Sequence, residues 1–277
     1  MKLLTCNTHS IVEENYEKKL SYFVEWVYKN DYDIIALQEV NQSRDNSTMD
    51  LNNLLNFFTN DKNISIKDNN HLLRVIQLLE TKGKKYYWTW TPIKLGYEKY
   101  DEGIGILSKY KPIEIKEFYL TKNKSYNNWK VRKAIGIKVN INGINKWFFS
   151  IHTGWWNDNE EDFKYQSTKL NHELNNINEE IYLMGDFNNP SQIKNEGYCE
   201  ILKSGWYDTY ELAEKKDNGI TVSGLIDGWK EHKNLNEMRI DFIFKNNNNN
   251  KTKISKVVFN GKIGEIISDH FAVEIEE

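Results

Sequence analysis

The chain has 277 residues, with 37 lysines and arginines against 40 aspartates and glutamates, a formal net charge of −3 and 39% hydrophobic residues. This composition supports a sizeable core, and the near-neutral charge argues against a protein that wraps nucleic acid with an extended basic surface. The two cysteines argue against a disulfide scaffold, and without an 18-residue apolar run or a signal segment we expect a cytoplasmic protein with no membrane span.

Strands and helices are predicted to alternate through the first half of the chain. A short strand over 2–5 precedes residues 13–30, where apolar side chains recur at helical spacing. The continuous apolar run 33–37 is typical of a strand buried on both faces, and it ends at the polar pair Gln38 and Glu39. Further patterns predict helices over 50–58 and 70–82, and strands over 86–90, 104–107, 115–120, 131–139 and 146–151.

The second half continues the same mixture. A helix is predicted over 160–178, and the apolar run 181–184 reads as a strand that leads into Gly185, Asp186, Phe187 and Asn188. After a mixed region over 193–235, strands are predicted over 239–244, 253–259 and 271–275. Because no linker rich in glycine, serine or proline separates the halves, we expect a single α/β domain over 1–277.

Acids, amides and histidines fall at or just beyond the ends of the hydrophobic runs, at Asn7, Glu39, His152, Asp186, Asn188, Asp241, Asp269 and His270. Any one of them is readily explained as a helix cap or a turn former. Together they predict a site at the strand ends of an α/β sheet. Carboxylate and amide oxygens suit Mg²⁺, Mn²⁺ or Ca²⁺, and unpaired histidines suit an anionic substrate, so the set favours metal-assisted hydrolysis of a phosphate ester.

Two other hydrolase classes receive no support from the sequence. It lacks the GxxxxGK[ST] loop of the P-loop nucleotide hydrolases. It also lacks the GxSxG elbow on which α/β-hydrolase acyl transfer depends.

Four short motifs occur in a recognisable order, Leu-Gln-Glu at 37–39, Gly-Asp-Phe-Asn at 185–188, Arg-Ile-Asp at 239–241 and Ser-Asp-His at 268–270. With Asn7 and His152 in the same order, the chain from 3 to 275 resembles the endonuclease/exonuclease/phosphatase superfamily. The resemblance implies a four-layer α/β sandwich, in which two mixed β-sheets pack face to face with helices on the outside. It also implies a divalent-metal-dependent phosphoesterase site at one edge.

The same resemblance implies roles for individual residues. Glu39 would be the principal metal ligand, with Asn7 and Asp269 completing the site, and Mg²⁺ would be the ion, with Mn²⁺ or Ca²⁺ as substitutes. Asp186 would orient or deprotonate the attacking water, with Asn188 positioning metal or phosphate.

The implied histidine roles follow the nuclease and sphingomyelinase branches of the superfamily. His270 would contact the phosphoryl group and would be held in its tautomer by Asp241. His152 would be a second phosphate-facing histidine, oriented by Glu102. Glu102 is equally well explained as a surface turn residue. For His152, the alternative of a core histidine is less favoured than the phosphate-facing role. The other histidines, His9, His71, His172 and His232, have no motif support and are interpreted as surface or structural residues.

The substrate is predicted from basic and aromatic residues near the motifs. Arg132 is either a bidentate phosphate ligand or a strand-edge charge that faces water. Trp155 and Trp156 directly follow the His152 motif, and with Trp229 they suit a flat ligand such as a sugar ring or a base, or they simply pack. Residues 34–42, 152–157 and 219–222 resemble a bacterial branch that contains maltose 6′-phosphate phosphatases, which implies a phosphorylated sugar as the small-molecule partner.

Two alternatives stay open at this point. A phosphodiesterase acting on nucleic acid or on a phospholipid head group would need a basic cleft or an exposed aromatic hairpin, and neither is evident in the sequence. A binding module without catalytic activity is disfavoured, because every expected ligand and catalytic position carries a competent residue. The oligomeric state is not predicted.

Overall fold

The computed structural model describes residues 1–224, 226, 229, 236–249 and 251–277. In that part of the chain the helices are α1 (Tyr16–Asn30), α2 (His71–Thr81), α3 (Phe163–Leu174) and α4 (Gly197–Lys203). The strands are β1 (Lys2–Asn7), β2 (Ile34–Ser43), β3 (Tyr87–Gly96), β4 (Tyr100–Ser108), β5 (Glu114–Tyr119), β6 (Lys133–Ile141), β7 (Ile144–His152), β8 (Glu180–Asp186), β9 (Tyr207–Asp208), β10 (Ala213–Lys216), β11 (Val222–Ser223), β12 (Glu237–Met238), β13 (Asp241–Lys245), β14 (Thr252–Val258) and β15 (Ala272–Glu276).

The strands form two large mixed sheets. The first has the order β10-β14-β15-β1-β2-β4-β3, in which β1 and β2 are parallel, as are β10 and β14. The second has the order β5-β6-β7-β8-β13-β9, in which β7 and β8 are parallel. A small antiparallel ribbon of β11 and β12 lies beside them.

Apolar side chains fill three layers around these sheets. The layer between the sheets joins residues of the first sheet, such as Ile34 and Ile106, to residues of the second, such as Phe148 and Met184. A second layer packs α1 and α2 against the first sheet, and a third packs α3 and α4 against the second. The predicted four-layer sandwich with outer helices is therefore confirmed.

The predicted helices form where an apolar stripe meets a starting signal. In α1 the buried side chains Leu20, Phe23, Val24 and Val27 recur at helical spacing. The side chain of Asn70 caps α2 by accepting hydrogen bonds from two backbone N–H groups of its first turn. No helix in the described part of the chain combines the length and apolar character that a membrane crossing requires.

Some predicted elements differ in the structure. The predicted helix over 50–58 is wrong, because only Leu51–Asn53 forms a 3₁₀ turn. The backbone around Phe57 instead pairs with the edge strand β3 at Trp88, and this pairing cannot be read from helical periodicity. The predicted strand end at Glu39 is also wrong, because β2 continues to Ser43 after a register shift between Leu37 and Val40.

Candidate active site

The register of the central strands brings the motif residues to one edge of the sandwich. In the first sheet, Asn7 at the end of β1 lies opposite Gln38 on β2. In the second sheet, His152 at the end of β7 lies opposite Asp186 at the end of β8, and Asp241 at the start of β13 also pairs with Asp186. Because both parallel pairs end at the same edge, residues far apart in sequence become neighbours.

A bulge in β2 presents Glu39 at this edge. Glu39 has φ 51°, a left-handed backbone conformation that a residue with a side chain rarely adopts. It lies at the register shift between Leu37 and Val40, where the pairing with β4 is interrupted. A bulge of this kind turns a side chain away from the regular alternation of a strand, so Glu39 reaches the pocket and not the core.

Buried polar groups hold the two sheets together beneath the site. The Gln38 side-chain amide donates to the hydroxyl of Ser150 at 3.0 Å, and that hydroxyl donates to the carbonyl of Leu37 at 3.0 Å. Gly185 has φ 153°, and a Cβ atom there would lie 1.9 Å from the carbonyl oxygen of Ile151. The Gly-Asp-Phe-Asn motif thus needs glycine so that β8 can approach β7 closely.

The site is a pocket of about 350 Å³ between the loops at this edge. Its lining includes nine of the thirteen predicted site residues: Glu39, Glu102, Arg132, His152, Trp155, Asp186, Asn188, Asp269 and His270. We call Glu39, Asp186 and Asp269 the acidic floor. We call the neighbouring basic residues Lys94 and Arg132 the cationic wall.

Asp186 occupies the centre of a ring of nitrogen atoms. Its Oδ2 atom accepts a hydrogen bond from the Asn7 amide at 3.1 Å, and it lies 3.6 Å from His152 Nε2 and 3.8 Å from His270 Nε2. Its other oxygen accepts from the backbone N–H of Asn188 at 2.8 Å. Burial is the main reason that the pKa of Asp186 rises to about 7, so this carboxyl can exchange a proton near neutral pH.

The two histidines of the pocket differ in charge. Burial opposes protonation of His270, but the charges of Asp241 and Asp186 hold its pKa well above the usual range. Its Nδ1 atom contacts Asp241 Oδ2 at 2.9 Å, which directs Nε2 toward Asp186. Burial, followed by the charges of Arg132 and other cations, holds the pKa of His152 well below the usual range. His270 is thus a cation at neutral pH and His152 is uncharged.

The donor set of the acidic floor fits a hard divalent cation. Burial and then the nearby charges of Glu102 and Asp269 raise the pKa of Glu39, and a cation between such carboxylates relieves this repulsion. Asn7 bridges the floor through its amide nitrogen, which contacts Glu39 Oε1 at 2.9 Å and also Asp186. Its amide oxygen instead accepts a hydrogen bond from the backbone N–H of His9 at 3.3 Å. For Asn7 to be an oxygen ligand, its side-chain amide would have to flip so that the oxygen faces Glu39 and Asp186.

Two groups of acids and histidines in the described residues have ligand atoms that all lie within 4.8 Å of one another. One consists of Asp186, Asp241 and His270, all buried, and the other of the half-buried residues His9, Glu13 and Asp269. Because the first group is held together by the hydrogen bond between His270 and Asp241, its geometry fits proton transfer at least as well as metal binding.

Glu102 has a different partner from the one that the resemblance implied. It lies inside β4 and is 5% exposed, so its interpretation as a surface turn residue is wrong. Its Oε1 atom contacts Lys94 Nζ at 3.1 Å, and among the described residues it makes no hydrogen bond to His152. Asn188 contacts His152 Nε2 instead, at 3.2 Å.

Arg132 is 2% exposed, so its interpretation as a strand-edge charge facing water is wrong as well. Within the described chain, its guanidinium donates to the backbone carbonyls of Trp129, Val131 and Thr153. The guanidinium lies over the Trp155 ring, 5.4 Å from its centroid. Arg132 makes no ion pair with a carboxylate of the described residues, and a buried cation of this kind that lines a pocket is suited to an anionic ligand.

The tryptophans form a groove that continues from the pocket. Trp129 and Trp155 line both spaces, and Trp156 and Trp229 line the groove alone. Trp129 is 55% exposed, whereas Trp229 is 5% exposed and its Nε1 donates to Asn188 Oδ1 at 3.2 Å. Trp156 packs partly against the core beneath α3. Trp155 and Trp129 thus present aromatic surface to the two spaces, whereas the buried Trp229 supports Asn188 through its indole N–H.

Six residues of the pocket lining were missed by the sequence analysis, among them Lys94, His9 and Tyr97. Lys94 lies on β3 beyond the predicted strand end at residue 90. His9, interpreted as a surface or structural residue, lines the pocket, and its Nε2 lies 2.9 Å from the hydroxyl of Tyr97. Tyr97 is 48% exposed at the tip of the hairpin between β3 and β4, so an exposed aromatic hairpin exists after all. No local pattern in the sequence marks these positions.

Comparison with known proteins gives a consistent family. A model of the Endonuclease/Exonuclease/phosphatase family matches residues 4–270. A solved family protein from Leptotrichia buccalis C-1013-b is 34% identical, with a TM-score of 0.87 over 100% of this chain and 98% of that one. No curated protein matches the chain.

Two solved structures with lower identity share the fold. A mannosyl-6-phosphatase from Bacteroides thetaiotaomicron VPI-5482 is 16% identical, with a TM-score of 0.68 over 100% of this chain and 98% of that one. A 3′ phosphatase from Neisseria, bound to a product DNA hairpin, is 17% identical, with a TM-score of 0.60 over 100% of this chain and 98% of that one.

Proposed function

Since the chain belongs to the endonuclease/exonuclease/phosphatase family of divalent-metal-dependent phosphoesterases, we propose that it is a phosphomonoesterase that hydrolyses a sugar phosphate such as maltose 6′-phosphate. The single observation that carries the proposal is the pocket itself. A buried carboxylate and two half-buried ones form its floor, buried cations form one wall, and tryptophans line its continuation. That arrangement suits a phosphate group attached to a flat, neutral ring.

The residues divide the hydrolytic work between them. Asp186 orients a water molecule and accepts its proton at Oδ2, the oxygen that lies near the side chains of Asn7, His152 and His270. His270, held as a cation by Asp241, donates from Nε2 to a phosphoryl oxygen and stabilises the charge that develops there. Asn188 keeps His152 and the Asp186 carboxylate in place through its side chain and its backbone N–H.

Glu39 and Asp269, with Asn7, would hold the metal ion, which we expect to be Mg²⁺ with Mn²⁺ or Ca²⁺ as substitutes. When bound, the ion supplies positive charge next to the phosphoryl oxygens. Glu39 is presented for this purpose by the β2 bulge, and it shares the Asn7 amide with Asp186.

A phosphodiesterase is the second candidate. The exposed rings of Tyr97 and Trp129 at the pocket favour it, because single-stranded nucleic acid stacks on such surfaces. One solved structure that shares the fold is bound to a DNA hairpin, but as a 3′ phosphatase it supports nucleic acid as the substrate and not cleavage of a diester. Against it, the groove contains the acids Asp158 and Glu196 beside Lys130, and a polyanion gains little in such surroundings.

The test offers the purified protein three substrates with Mg²⁺: maltose 6′-phosphate, supercoiled plasmid and sphingomyelin. We expect phosphate release from maltose 6′-phosphate and neither nicked plasmid nor phosphocholine at the same enzyme concentration. The Asp186→Asn variant, purified in parallel, controls for contaminating phosphatases. Plasmid nicking by the wild type that is faster than release of phosphate from the sugar would replace this proposal with the second candidate.

A further inference from the structure

The cationic wall is built around one backbone carbonyl. Lys94 Nζ donates to the carbonyl oxygen of Trp129 at 2.9 Å, and Arg132 Nη1 donates to the same oxygen at 3.0 Å. The two cationic nitrogens are therefore at most about 6 Å apart. Both side chains are buried, at 7% and 2% exposure, so little water screens their repulsion.

Among the described residues, only one carboxylate balances these two charges within salt-bridge distance. Glu102 contacts Lys94 Nζ at 3.1 Å, whereas the hydrogen-bond partners of the Arg132 guanidinium in that part of the chain are uncharged carbonyls. An ammonium has three donors and a guanidinium has five. The described contacts use two of the donors on Lys94 and leave the Nη2 atom of Arg132 available. Since both residues line the pocket, the unused donors can face a ligand.

We propose that Lys94, together with Arg132, binds the terminal oxygens of a doubly charged phosphate, and that Lys94 is the residue by which the site prefers monoesters to diesters. The proposal rests on the proposed phosphomonoesterase function and names its specificity determinant. A monoester carries close to two negative charges above its second pKa near 6, whereas a diester carries one. Two adjacent buried cations stabilise the double charge more strongly.

The chain offers a matched control for a buried lysine near this wall. Lys133 directly follows Arg132, is 8% exposed, and contacts the hydroxyl of Thr91 at 3.2 Å. It is absent from the pocket lining. Replacing Lys133 by methionine removes a buried charge of the same kind without changing the pocket.

The experiment compares hydrolysis of p-nitrophenyl phosphate and bis-p-nitrophenyl phosphate by the wild type, Lys94→Met and Lys133→Met. We expect Lys94→Met to lower kcat/KM for the monoester by about 10- to 100-fold and to change it for the diester by less than about threefold. Lys133→Met should keep the ratio of the two rates at the wild-type value. A ratio in Lys94→Met within threefold of the wild type would overturn the proposal.

A second pair of variants tests whether the effect of Lys94→Met comes from lost substrate binding or from a Glu102 carboxylate left without a cation. Lys94→Met leaves Glu102 without its cation, so the same comparison is made between Glu102→Gln and the double variant Glu102→Gln/Lys94→Met. If Lys94 only neutralises Glu102, its loss has no effect on the monoester in this background, and the proposal is wrong. If the wild type hydrolyses the diester faster than the monoester, the phosphomonoesterase function itself is rejected. If the preference for the monoester persists in both Lys94→Met and Glu102→Gln/Lys94→Met, only the role of Lys94 is rejected.

Discussion

The acidic floor and the cationic wall of the pocket are assembled in different ways. Asp186 and Asp269 lie at or beside the ends of central strands, and Glu39 lies on a bulge in β2. Lys94 lies near the end of the edge strand β3, and Arg132 lies in the loop before β6. A backbone carbonyl holds the wall together, whereas side chains and strand register hold the floor.

This difference in construction indicates that the floor and the wall have different functions. Positions fixed by the register of buried strands are precise, which proton transfer and metal binding require. Edge strands and loops tolerate change, so substrate preference is most easily altered there. We therefore expect changes in the floor to affect turnover, and changes in the wall and in the tryptophans to affect substrate choice.

The strongest challenge to this division is the Asp186→Asn variant. We expect kcat to fall by about 10³-fold because the proton acceptor is lost, while folding and Mg²⁺ affinity are retained. The measurements are steady-state rates, thermal unfolding and metal titration. Asp45→Asn, which changes an exposed aspartate, is the control and should match the wild type. Turnover near the wild-type rate would remove Asp186 from its assigned role.

A second variant, Asp241→Asn, tests whether His270, which lies beside Asp186 of the acidic floor, acts as a cation. Burial disfavours the charged imidazolium, and Asp241 is the main charge that raises its pKa. Without that charge the pKa of His270 falls, so the proton is lost at lower pH and the alkaline limb of the kcat profile moves to lower pH. We expect kcat near neutral pH to fall by about 10- to 100-fold. An alkaline limb at the wild-type position, with His270 followed by NMR titration, would contradict this assignment.

The smallest effect is expected from Trp155→Ala in the groove. We expect KM for maltose 6′-phosphate to rise by about three- to tenfold, since a stacked ring contributes about 0.5–1.5 kcal/mol. KM for p-nitrophenyl phosphate should rise less, and kcat should change little for either substrate. Tyr207→Ala, which removes an exposed ring outside the pocket lining, is the control. Equal effects on both substrates would mean that Trp155 packs and does not recognise the sugar.

Much of the floor could be predicted because its residues follow apolar runs. The runs 33–37 and 181–184 mark buried strands, and the polar residues after them mark an edge where chemistry is presented. The predicted helix over 50–58 failed for a related reason: Leu54 and Phe57 pack against the core as a helix would require, but the backbone around Phe57 pairs with the edge strand β3. The spacing of apolar residues indicates which side chains are buried, and it does not indicate which segment of the chain they pack or pair with.

The wall shows the limit of the same reasoning. Lys94 follows Pro92 on β3, at a register shift in the pairing with β4, so alternation along the strand does not indicate which way it faces. The resemblance implied that Glu102 contacts His152, and nothing in the sequence indicated that its partner is Lys94. Both depend on how neighbouring strands align and not on the type of residue.

The amino-acid sequence alone determined which apolar runs would form buried strands, and that oxygen-bearing and imidazole side chains would gather near the ends of those strands. It did so because the burial of a continuous apolar run is a local consequence of residue type. The tertiary structure decided which of those groups meet, which histidine is charged, and that two buried cations share the carbonyl of Trp129. These outcomes depend on distances between segments far apart in the chain, and electrostatic energies follow from those distances.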